Sequence, residues 1–264
     1  MLAQSPVMTG EKTMMYHPTL DKLQQLKLTG MVRALQEQEA VQSIASMPFE
    51  ERLGLMVDRE LTERDNRRVQ TRLRAAKLKQ NTALEDVDFK RPRGLDRSLI
   101  MKLADCKWVA EHLNVLITGP TGIGKTWLAC ALAHKACREG YSSYYVRLPR
   151  LLQELDMGRA DGRYGKIIRQ LAKTHVLVMD EWGMAMLTDQ HRRDLLEILD
   201  DRYSQRSTII ISQLSVSLWH DAVGDLTLAD AILDRVIHNA YRINLTGQSM
   251  RKEMGKLTDD IQTT

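Results

Sequence analysis

Residues 119–126 read "GPTGIGKT", a glycine-rich octet that ends in Lys-Thr and follows the apolar run "VLIT". The octet matches the spacing G-x-x-x-x-G-K-[ST], in which a strand enters a tight turn and a helix leaves it. Backbone N–H groups and the positive helix end then converge on one point, which suits phosphate oxygens. In such a loop Lys125 meets the β- and γ-phosphates and the Thr126 hydroxyl joins a Mg²⁺ shell, while Gly122 and Gly124 let the backbone come close. A tight turn with no ligand would not call for Lys-Thr at the helix start.

Hydrolysis of a phosphate needs acids as well. Residues 175–182, "HVLVMDEW", form an apolar run that ends in two adjacent carboxylates. Asp180 at the strand tip is the expected Mg²⁺ partner of Thr126, and Glu181 is the candidate to orient and polarise an attacking water. Alone, such a pair could simply decorate a helix N-terminus; beside a phosphate loop it is far more specific. A third polar tip ends "STIIISQL", where Gln213 is placed to sense the γ-phosphate or its water, or else is a strand-end turn residue. The nucleotide-binding segment expected on these grounds is Gly119, Pro120, Thr121, Gly122, Ile123, Gly124, Lys125, Thr126 and Trp127, with ATP and Mg²⁺ as cofactors.

These residues must be held by a scaffold. Short apolar runs at Asn114 to Thr118, Ser143 to Arg147, His175 to Met179, Thr208 to Ile211 and Arg242 to Leu245 alternate with helical segments. Near-continuous apolar strands separated by helices imply an α/β fold whose five-stranded parallel sheet is covered on both faces. One further strand lies between the loop strand and the acidic strand, which favours P-loop ATPases with a catalytic Glu over small nucleotide kinases.

Upstream the apolar spacing is helical: Leu20, Leu23 and Leu26, then Met31, Ala34 and Leu35, then Phe49, Leu53, Met56, Val57 and Leu61. Thr29-Gly30 is expected to break the first two helices. Pro48, followed by Glu50 and Glu51, starts a third of about thirty residues. Pro92 and Gly94 sit among charges in "EDVDFKRPRGLDR" and mark a connector. The expected organisation is a loose tail at 1–16, a helical domain at 17–84, a linker at 85–97 and an ATPase domain at 98–264.

The net charge of +4 conceals an asymmetry, since residues 64–80 carry seven Lys or Arg against one acid. A solvated helix face is one reading; nucleic acid or a protein partner is the other. Aromatics make up 5% of the chain, which argues against a stacking platform for single strands and leaves duplex as the better polyanion. No window is apolar enough to span a membrane, and the start lacks the basic-then-apolar pattern of a secretory signal. Cys106, Cys130 and Cys137 form neither a metal-spaced pair nor an even disulfide set, which fits a reducing cytosol; Cys130 and Cys137, seven apart on one expected helix face, are expected to be packing residues.

Taken together, "LKLTGMVRAL", "GPTGIGKTWLACALAHKA", "RADGRYGKIIRQLAK", "VLVMDEWGM", "DDRYSQRSTIIISQL" and "LADAILDRVIHNAYRINLTGQSMR" resemble the IstB/DnaC family of AAA+ ATPases over nearly the whole chain. The last block is particularly similar to the IstB branch, the helpers of insertion-sequence transposition. The resemblance implies that residues 119–126 are Walker A, Asp180 and Glu181 Walker B and Gln213 sensor 1. It also implies that Arg235 is an arginine finger reaching the ATP of a neighbouring subunit in a homo-oligomer. The other reading of Arg235 is a salt bridge to Asp234 or Asp230. Arg251 looks like the sensor 2 arginine, or caps a C-terminal helix; too few residues follow the last strand for the usual helical lid.

The partners the resemblance implies are double-stranded DNA, bound largely without sequence choice, and a transposase. Residues 148–173 lie where relatives add helices facing DNA. Their Arg150, Arg159, Arg163, Lys166 and Arg169 would contact mainly phosphates, unless this is only a solvent-facing hairpin. The rival reading is a replicative helicase loader, with nearly the same fold and ATP chemistry. A small-molecule kinase would leave Glu181 with Arg235 unexplained.

Overall fold

Five strands, β1 (Asn114–Thr118), β2 (Ser143–Arg147), β3 (Val176–Trp182), β4 (Ser207–Ser212) and β5 (Ala240–Asn244), pair in the order β2-β3-β4-β1-β5, every pair parallel. The computed structural model describes residues 18–41, 44 and 46–250. The expected tail at 1–16 and Arg251 lie outside them. Two compact units divide the chain, Met1–Arg68 and Val69–Thr264.

In the first unit, α1 (Pro18–Gln25) is followed by α2 (Thr29–Ala40), and α3 (Phe49–Ala76) begins here and runs unbroken past the division. The break between α1 and α2 falls at residues 26–28, with Lys27 at φ 58°, and not at Thr29-Gly30. Gly30 instead lets helices close up: a Cβ there would sit 2.6 Å from the Glu60 Cα. Leu28 has no side-chain group to cap α2, and the Glu60 carboxylate of α3 does so, accepting from Gly30 N at 2.7 Å and Met31 N at 3.3 Å. Burial alone would raise the Glu60 carboxyl; Arg64 and these N–H groups outweigh that and hold it below its ordinary value.

In the second unit, the sheet separates two apolar layers. One packs beneath α4 (Arg97–Ala104), α5 (Lys107–Ala110) and α6 (Lys125–Arg138). The other packs under α7 (Leu148–Ala160), α8 (Tyr164–Lys173), α9 (Asp189–Arg202), α10 (Trp219–Val223) and α11 (Leu226–Ile237). Central strands β1 and β4 are buried end to end, as residues covered on both faces must be. Strand β3 extends three residues beyond the expected Met179 and takes in both acids.

The segment expected to be a linker is packed. Val87 is buried, the Arg93 carbonyl accepts from Thr246 N, and Gly94 lies against the Asn244 carbonyl. The division at Arg68/Val69 therefore differs from the expected connector at 85–97. From Val69 onward the chain is committed to the sheet: Arg72 donates to the Cys137 carbonyl, Ala76 is fully buried, and Thr82 donates to the Trp127 carbonyl. Much of the basic stretch is spent on such contacts, with Arg64 on Glu60, Arg68 on Asp65 and Lys77 over the Tyr144 ring. The three cysteines are buried and unpaired, and burial raises all three thiols, Cys106 to about 11.

Candidate active site

The expected phosphate loop leaves β1 at Thr118 and enters α6 at Lys125. The turn is possible only because Gly119, Gly122 and Gly124 take φ values of 140°, 83° and 99°. Two of them serve protein packing as much as ligand approach: a Cβ at Gly119 would meet the Leu245 carbonyl, and one at Gly122 would meet Ser249. Met250 N donates to the Gly122 carbonyl, so residues 245–250 lie across the loop.

Lys125 is buried, and its ammonium donates to the Gly119 and Pro120 carbonyls at 2.6 and 2.8 Å. Burial lowers its pKa, and the nearby Asp180 carboxylate opposes that. A buried cation without a direct carboxylate partner is suited to bind an anion that arrives later. Thr126 points across the cleft and donates to Asp180 Oδ2 at 2.8 Å.

Asp180 has a second, unforeseen partner. The buried Tyr145 hydroxyl of β2 donates to the same Oδ2 at 2.7 Å. Burial raises the Tyr145 phenol well above its ordinary range, and the bond to Asp180 adds to this, so it remains a proton donor. Next along, Glu181 has φ 65°, and the register of β3 against β4 shifts between Met179 and Trp182. A bulge of this kind re-aims a side chain. It turns the half-buried Glu181 toward Arg147 at the tip of β2, 3.7 Å away. Ser212 of β4 ties the bulge down by donating to the Trp182 carbonyl.

Gln213 follows directly, and its Oε1 accepts from Thr121 Oγ1 at 2.5 Å, linking the tip of β4 to the phosphate loop. One cleft of about 220 Å³ is thus lined by Thr121, Gly122, Lys125, Thr126, Asp180, Glu181 and Gln213, with Ile211, Ser212 and Lys79. Ile123 and Trp127 are not among its lining; they pack with the core beneath and support the loop. The donor set fits a nucleotide triphosphate with a divalent ion, since Thr126 and Asp180 offer two oxygens 2.8 Å apart beside a buried ammonium.

Arg235 is elsewhere. It lies in the last turn of α11, where Asn114, the first residue of β1, donates to its carbonyl. The cleft lies past the last residue of that strand, roughly 13 Å further along at about 3.3 Å per residue. Its guanidinium pairs with Asp200 at 2.6 Å and donates to the Ala231 carbonyl at 2.7 Å, so the salt bridge is to neither Asp234 nor Asp230. Arg251 lies outside the described residues.

The basic residues of the α7–α8 hairpin differ among themselves. Arg150, Arg163, Lys166 and Arg169 are exposed. Arg159 instead bonds the buried Asp194 and stacks 3.9 Å over the Tyr164 ring, which makes it a fastener between α7, α8 and α9. Tyr145, Arg147 and Lys79 were not foreseen as site residues. Tyr145 and Arg147 could have been found only from strand order, because β2 becomes a neighbour of the acidic strand by pairing and not by sequence.

With this geometry in hand, comparison with known proteins is informative. Residues 21–257 match the family described as IstB-like ATP binding protein. A protein of Sinorhizobium fredii, named as an ATP-binding protein of an insertion sequence, is 51% identical over 90% of this chain and 98% of its own length. Another so named, from insertion sequence IS1162 of Pseudomonas fluorescens, is 52% identical over 77% of this chain and 89% of its own. Among solved structures, DnaI is similar with a TM-score of 0.54 and 25% identity, over 64% of this chain and 90% of that one. The DnaC helicase loader follows at 0.51 and 22%, over 64% of this chain and 99% of that one, a likeness of fold. A phosphate loop, an acidic strand tip and a match over most of the length agree: the chain belongs to the IstB-like ATP-binding family and is a P-loop AAA+ ATPase.

Proposed function

We infer that this ATPase is a DNA-bound assembly switch in transposition. ATP-loaded subunits oligomerise on target duplex DNA, shape it and present it to the cognate transposase; hydrolysis then drives disassembly. The observation that carries this reading is the position of Arg235, at the far end of β1 from its own cleft. A guanidinium there serves no nucleotide of its own subunit, yet it is suited to neutralise γ-phosphate charge in a neighbour's site. ATP shared between subunits makes nucleotide state and assembly state one equilibrium.

Each residue of the cleft then has a task. Lys125 offsets charge on the β- and γ-phosphates. Thr126 and Asp180 would hold Mg²⁺, which supplies further charge compensation, while Tyr145 keeps Asp180 in place. Glu181 orients water in line with the γ-phosphate, and Gln213, anchored on Thr121, sits beside that position. Of the hairpin residues, Arg150, Lys166 and Arg169 are exposed and can face phosphates, while Arg163, also exposed, must first leave its Asp161 partner; such contacts give affinity and salt dependence without sequence choice. Bending duplex over a few turns costs about 1–6 kcal/mol, which several subunits together can offset. A role on DNA, with no described helix long and apolar enough to cross a membrane, suits the cytoplasm.

The insertion-sequence setting of the relatives favours transposition over helicase loading, although DnaI and DnaC share the fold. The test is ATP-dependent assembly on random duplex DNA, followed by sedimentation, with wild type, Lys125→Ala, Glu181→Gln and Arg235→Ala. Wild type should assemble with ATP and release with hydrolysis, and Glu181→Gln should stay bound. Lys125→Ala and Arg235→Ala should fail to assemble. Indifference of wild type to duplex at low salt would defeat the DNA reading, and capture of a hexameric helicase instead of a transposase would favour the loader.

A further inference from the structure

Lys79 belongs to the basic stretch whose purpose the sequence leaves open, and it lines the ATP cleft beside Lys125, Asp180 and Glu181. It is exposed, and no carboxylate pairs with its ammonium among the described residues. Its backbone is not loose: Leu78 packs on the core and Thr82 bonds the Trp127 carbonyl at the start of α6. The cleft therefore has a second cation, supplied from outside the phosphate loop.

Which end of the nucleotide it meets follows from its neighbours. Lys79 also lines the adjoining groove with Tyr145 and Arg147. Those two residues are partners of Asp180 and Glu181. Lys79 is thus on the side of the acids, where the terminal phosphate must lie if Glu181 is to direct water at it. An ammonium on a flexible stem at the acid side of the cleft can swing onto a terminal phosphate, whose oxygens are stronger acceptors than the water around an exposed lysine, and it offsets the repulsion between that phosphate and the two carboxylates.

We propose that Lys79 is a γ-phosphate ligand of the ATP site and the residue that distinguishes ATP from ADP for the end of α3. Ala76, the last residue of α3, is three positions away, so loss of the γ-phosphate releases Lys79 and loosens residues 77–82. The proposal rests on the nucleotide site alone and is independent of DNA or transposase.

The test compares Kd for ATPγS and for ADP, both with Mg²⁺, on the full chain at protein concentrations where Kd no longer varies. Lys79→Ala should weaken ATPγS about tenfold, the loss of one hydrogen bond to a charged group, and leave ADP within about twofold. Lys79→Arg should restore most of the preference. Lys77→Ala, altered over the Tyr144 ring and not in the cleft, is the control and should bind both nucleotides as wild type does. Amide exchange at 77–82 should be slower with ATPγS than with ADP in wild type and equal in Lys79→Ala, with an unchanged melting temperature in the absence of nucleotide. Equal weakening of both nucleotides, or none, overturns the proposal.

Discussion

The two ends of the parallel sheet are built on opposite terms. At the end where the strands finish, the three phosphate-loop glycines and Glu181 hold positive φ, β3 bulges, and among the described residues Lys125 has only carbonyls for hydrogen-bond partners. At the end where they begin, several buried polar side chains are tied off. Asn114 bonds Thr208 N and the carbonyls of Arg235 and Val236. Ser207 donates to the Trp108 carbonyl. Arg202, 1% exposed, donates to the carbonyls of Leu171, Thr174 and Ser207 and to Thr208 Oγ1. Left-handed non-glycine residues occur at both ends, Glu181 at one and His112 and Ser204 at the other; what differs is charge, held only by carbonyl groups where a ligand arrives and more fully bonded around Arg202 where the strands begin. Arg235 sits at this end too, paired with Asp200 and bonded to the Ala231 carbonyl, and the finger role proposed for it requires that it leave that pair for another subunit.

The sharpest way to break this contrast is to mix defective subunits. If the ATP site is shared between subunits as proposed, Arg235→Ala alone should lose about 10³-fold in ATP turnover, and so should Lys125→Ala. Mixed together, they should regain measurable activity, since some interfaces join an intact cleft to an intact finger. Absence of complementation, with both proteins folded, would place Arg235 outside catalysis.

Next in size is the end where the strands begin. Arg202→Met removes a buried cation that satisfies three carbonyls and a hydroxyl, so unfolding stability should fall by about 3 kcal/mol, read by urea titration without nucleotide. ATPγS affinity of the folded fraction should hardly change. A smaller effect of opposite sign is expected at the catalytic end. Glu181→Gly relieves a left-handed non-glycine residue and should raise stability by about 1 kcal/mol while hydrolysis collapses. A destabilised Glu181→Gly protein would show that the bulge is not strained. The smallest effect belongs to Asp200→Asn, which loosens Arg235 from an exposed pair worth about 0–1 kcal/mol. The melting temperature should stay put, and the subunit concentration for half-maximal ATPase should shift a few fold.

Much of the site was legible before any fold was known, because a phosphate loop is contiguous. Glycine spacing, a Lys-Thr at a helix start and two acids after an apolar run each report local chemistry, and the alternation of strands and helices reports the layers. The helices of the first unit were legible too, down to the long α3. What misled was Gly30, which marks no turn; it is the point where α2 meets the Glu60 backbone, a contact thirty residues distant. Pro92 and Gly94 likewise look like a linker but pack against the β5 end.

By itself the sequence determined the phosphate chemistry, the parallel α/β class and the identity of the cations on hand, since these depend on residue type, on near-continuous apolar runs and on the helical period of 3.6. Only the tertiary structure decided what each cation lies against. Strand order brought Tyr145 and Arg147 of β2 to the acids of β3, packing after α3 carried Lys79 to the cleft, and Asp194 claimed Arg159. The length of β1 kept Arg235 from its own ATP. The reason is common to all: a charge is defined by what lies within a few ångströms of it, and those neighbours are set by pairing and packing between segments far apart in the chain.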